Sequence, residues 1–74
     1  MTGPFEATAA IYDDTAAELG RAAQHCAVAA QHFRSGEVPR GAAHAWAARG
    51  HILEAMARLD EQAREHARRS VPEA

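Results

Sequence analysis

The chain has 74 residues, a formal net charge of −2 and 47% hydrophobic residues, which makes it one small domain without the basic excess of a dedicated nucleic-acid binder. Twenty of its residues are alanine, so few side chains are left to build a core, and chains this short often need a disulfide, a metal or a second subunit. A lone cysteine, Cys26, excludes an intrachain disulfide and fits a reducing compartment.

At the N-terminus, MTGPFEATAA lacks the basic region and apolar stretch of a signal peptide, and no apolar run approaches membrane-spanning length. A cytoplasmic protein without a membrane partner is expected. All basic side chains are arginine, with no lysine. With the abundant alanine, that bias points to a high-GC bacterial source.

After Pro4, residues 5–35 read as the first helix, rich in Ala, Glu, Gln and Arg with few β-branched residues. A heptad column runs Phe5, Tyr12, Leu19, Cys26, Phe33, here called position a. Position d is Thr8, Thr15, Ala22, Ala29, and position e is Ala9, Ala16, Ala23, Ala30. Large side chains alternate with very small ones, and small residues let helices approach closely while a 3.5-residue period keeps the seam facing its partner. Cys26, on the large column, is expected to be a buried core residue and not a nucleophile.

RSGEVPR at 34–40 punctuates the chain. Gly36 suits the left-handed position after a helix, and Pro39 suits the first turn of the next. The turn is expected over 35–39 and the second helix over 39–69, each helix roughly 45 Å long at 1.5 Å per residue. The whole of 1–74 is then a single all-α domain, an antiparallel two-helix hairpin. The second helix places Ala45, Ile52, Leu59 and His66 at a, Ala48 and Ala55 at d, and Met56 and Ala63 at e. Trp46 and Leu53 fall about 100° around from Ile52 and Leu59 by the 3.6-residue period. That surplus apolar surface predicts a cover, most simply a second hairpin that completes a homodimeric four-helix bundle. Phe5, Tyr12, Leu19, Phe33, Trp46, Leu53 and Met56 are the expected dimer or partner interface.

Four histidines fall at position g: His25 and His32 on the first helix, His44 and His51 on the second. In an antiparallel pair, g residues flank g residues. Folding about a turn near 37–38 sets His25 beside His51, His32 beside His44, and Glu18 beside Arg58. Two cross-helix histidine layers along one edge are expected. Imidazole ligates zinc, copper and nickel, so His25, His32, His44 and His51 form the candidate metal edge, with Cys26 or Glu54 as a conceivable third ligand. HExxH, HxxxH and CxxC motifs are absent. Plain solvated surface and pH sensing are the competing readings.

Arg64, Arg68 and Arg69 cluster near the C-terminus, where cations offset the helix dipole. Glu54–Arg58 and Asp60–Arg64 read as surface pairs at i,i+4. The segment HFRSGEVPRGAAHAWAA is similar to the turn and second helix of a tetratricopeptide repeat, over about one repeat, whereas such arrays need several. The outline is similar to small secreted hairpin dimers, whose Trp-x-Gly turn is replaced here by SGEVP. Neither pattern is complete, and neither family is assigned. The expected function is that of a non-enzymatic adaptor that self-associates and binds a protein through an apolar helix face, with no cofactor. The alternative is a small protein that handles zinc, copper or nickel.

Overall fold

The structure is a computed structural model that describes residues 3–73. Met1, Thr2 and Ala74 of the expected domain lie outside the described residues. Helix α1 spans Glu6–Arg34 and helix α2 spans Val38–Arg69. No strand occurs among the described residues, and none of their helices is long and apolar enough to cross a membrane.

The turn is built by glycine and by backbone hydrogen bonds. Gly36 sits at φ 74°, left-handed backbone that costs other residues a steric penalty. Its N–H donates to the Phe33 carbonyl at 3.0 Å, and the Glu37 N–H donates to the His32 carbonyl at 2.8 Å. These two bonds make a Schellman motif and satisfy carbonyls that the end of α1 would leave open. An apolar contact usually joins the two residues that close this motif. Here His32 and Glu37 occupy those places and join through a side-chain hydrogen bond instead. Pro39 follows within the first turn of α2.

The helices meet along position d. The buried residues are Thr15, Ala22 and Ala29 on α1, and Gly41, Ala48 and Ala55 on α2. Both sets repeat every seven residues, and all are small. The Thr15 hydroxyl is satisfied within its own helix, donating to the Ile11 carbonyl at 2.8 Å. Gly41 is small for a reason: a Cβ there would fall 2.8 Å from Phe33 ring carbons. Elsewhere along the seam the large side chains sit at its flanks, and the Phe33 ring reaches in where Gly41 leaves it room. The structure therefore corrects one expectation. Cys26 is exposed, because its column borders the seam without entering it.

What results is a single layer. The Cα extents are 56 × 35 × 13 Å and the radius of gyration is 17.4 Å, against about 11 Å for a compact domain of this length. Its core is Ala22, Ala29, Ala48 and Ala55 with Thr15 and Gly41, and it encloses no large side chain among the described residues. Each buried methyl contributes roughly 0.8 kcal/mol, whereas a buried Leu or Phe contributes roughly 1.5–3 kcal/mol. Beyond Thr15 and Ala55 the seam has no buried residue among the described ones, and a groove of about 460 Å³ opens between Thr8, Tyr12, Leu59 and His66.

Candidate functional site

The seam at d divides the layer into two sides of different chemistry. Positions a, e and b lie on one side, g and c on the other, by the 100° step of the helix. The first side is apolar and uncovered. Tyr12, Leu19 and Phe33 of α1 are each about half exposed, as are Ile52, Leu53, Met56 and Leu59 of α2, while Phe5 and Trp46 are 77% and 72% exposed. The residues expected at an interface thus share one side of the hairpin, and nothing among the described residues covers them.

The second side carries the histidines. Residues seven apart on one helix are separated by about 10 Å along its axis. Each gap is filled by a ring from the opposite helix, so the four imidazoles interleave at about half that spacing. In order they run His51, His25, His44, His32. His51 and His25 stack with centroids 5.5 Å apart, His25 and His44 are tilted at 5.1 Å, and His44 and His32 stack at 5.4 Å. The pairings His25 with His51 and His32 with His44 are present. They are joined into one continuous file by a contact absent from the expected layers, His25 Nδ1 to His44 Nδ1 at 2.9 Å.

A carboxylate closes each end. His51 Nδ1 donates to Glu18 Oε2 at 2.6 Å, and His32 Nδ1 donates to Glu37 Oε2 at 2.6 Å. A carboxylate only accepts, so in both end rings Nδ1 carries the proton. Arg21 donates to the other oxygen of Glu18 at 2.7 Å, and Arg40 stands 3.6 Å from Glu37. The central pair has no carboxylate. A 2.9 Å nitrogen–nitrogen contact requires one Nδ1 to donate and the other to accept, so a single proton lies between these two atoms.

The hydrogen bond from His51, aided by the nearby charges of Arg21 and Arg58, holds Glu18 below its ordinary pKa, against some opposition from burial. A carboxyl lowered on folding contributes stability that is present above its unfolded pKa, about 4.3, and is lost as pH falls through the folded value. Glu18→Gln should therefore flatten the acid limb of the stability curve below about pH 5. Thermal melts of both proteins from pH 7 to pH 3 check this; parallel curves would contradict it.

Other expected groups are placed elsewhere. Cys26 lies on the apolar side, and Glu54 is 3.1 Å from Arg58, so neither joins the histidines. Among the described residues no group of three or more His, Cys, Asp or Glu converges as a metal-holding set. Arg64, Arg68 and Arg69 each stand beside a glutamate, Arg68 donating to Glu61 at 2.8 Å and Glu65 at 2.9 Å. The C-terminal cations are thus largely offset. Arg64 approaches Glu61 at 3.7 Å in place of the expected Asp60. One contributor escapes sequence reasoning, Glu37, whose signal is its place just after the glycine; Gly41, a small position of the repeat-like segment, also stands seven before Ala48. Comparison with protein-family models, curated proteins and solved structures finds no match to this chain.

Proposed function

We propose that this chain is a non-enzymatic interaction protein, a helical hairpin that pairs with a second copy of itself into a four-helix bundle and works as an adaptor in that form. One observation carries the reading. The side bearing Tyr12, Leu19, Phe33, Ile52, Met56 and Leu59 is exposed, while the hairpin's own core is little more than four alanines. Stable domains pack at least two layers around a core, and this one has a single layer 13 Å thick. A second copy supplies an identical apolar face of the same length, which is what a two-fold symmetric interface requires. Trp46 and Leu53 lie at the margin of that face, where an exposed apolar patch marks a protein contact.

A native mass spectrum of the untagged protein tests the reading. Twice the 7.9 kDa chain mass is expected. A single-chain mass with intact helicity at micromolar concentration would overturn it.

A further inference from the structure

We propose that His25 and His44 form a two-coordinate site for monovalent copper, the ion taking the place of the proton now shared between their Nδ1 atoms. The site lies on the opposite side of the seam from the apolar face, so it does not depend on the self-association argued above. In a nitrogen–nitrogen hydrogen bond the in-plane lone pair of one ring points at the N–H of the other. When the donor ring takes its other tautomer, with its proton on Nε2, two Nδ1 lone pairs are aimed at one point. A d10 monovalent copper ion binds two nitrogen donors in line, and imidazole is among copper's ordinary ligands. With metal–nitrogen bonds of about 2 Å, the two atoms must stand about 4 Å apart. They stand 2.9 Å apart in the structure. Opening by about 1 Å is within reach of half-buried rings at the surface.

The surroundings select against ions that need more donors or bring more charge. Zinc takes four ligands, and the further ones are engaged. Glu18 and Glu37 accept from His51 and His32, Glu54 pairs with Arg58, and Cys26 is across the seam. The nearby charges offset one another, since Glu18 pairs with Arg21 and Glu37 lies by Arg40. No net negative charge is left to favour a divalent cation. The outer rings act as supports: each is fixed at Nδ1 by its carboxylate and stacks on one of the central pair.

The test is an anaerobic titration with monovalent copper against a chromophoric chelator. All proteins carry Cys26→Ser, because an exposed thiol binds this ion by itself. One ion per chain is expected for Cys26→Ser alone and when His66→Ala, remote from the file, is added. Adding His25→Ala or His44→Ala should abolish binding, with circular dichroism confirming that the helices remain. X-ray absorption of the loaded Cys26→Ser protein should show two nitrogen scatterers at about 2 Å, a readout independent of whether a variant folds. Copper retained without His25 and His44, a coordination number of three or more, or tighter binding of zinc than of copper would overturn the proposal.

Discussion

Changing Ile52 to aspartate should reduce the protein to the mass of a single chain at micromolar concentration, with a loss of helix content. Ile52 lies on the large-residue column of α2 and is 39% exposed in the hairpin. It is not among the buried residues of the small-residue seam, so the hairpin alone gives little reason for a large effect. In the proposed bundle it lies near the centre of the covered face. Burying an unpaired carboxylate there costs several kcal/mol, and every 1.4 kcal/mol weakens association tenfold. A thousandfold weaker dimer is the expected order of effect. Ala57→Asp, exposed and turned away from the seam, is the control and should leave mass and helicity unchanged. Sedimentation equilibrium reads both. An Ile52→Asp protein indistinguishable from its control would remove the apolar face from the account.

The second large effect is expected inside the seam. Ala48 is 3% exposed, and the register set by His25 and His44 brings it against α1 near Ala22, itself 4% exposed. Ala48→Leu adds three carbons where two backbones already lie close. Overpacking of this kind costs about 1–3 kcal/mol, and about 2 kcal/mol lowers the melting temperature of a chain this short by roughly 10 °C. The same wedge should part the histidine file, because His44 and His51 flank Ala48 on α2. Imidazole nuclear magnetic resonance signals should lose their ring-current shifts together with the drop in melting temperature. An unchanged melting temperature with unchanged imidazole signals would show that the seam is not close-packed.

Much of this architecture is legible in the sequence, and the reason is periodicity. Heptad spacing placed the small residues on one column and the histidines on another, and Gly36 with Pro39 located the turn. What the sequence left open was which column enters the seam. Large residues at a and small ones at d both satisfy a heptad pattern. The burial of Thr15, Ala22, Ala29, Gly41, Ala48 and Ala55, beside an exposed Cys26, settles that d is enclosed. The histidine geometry was half legible. Equal g positions foretold cross-helix neighbours, but whether the rings lie level or interleave depends on a stagger of half a heptad, set by the Schellman turn. Nothing in the turn's composition marks Glu37, although its side chain closes the file by reaching back to His32. Exposure of the apolar side follows from thickness, which no single-chain pattern encodes.

The most direct test of the central claim is the melting temperature of the wild-type protein as a function of concentration. If the apolar side is covered by a second copy, folding and association are linked by mass action. The melting temperature should then rise steadily across a hundredfold range of concentration, and Trp46 fluorescence should shift to longer wavelength as the protein is diluted. A melting temperature independent of concentration, with unchanged Trp46 emission, would mean that the single-layer hairpin is stable by itself and would contradict the account.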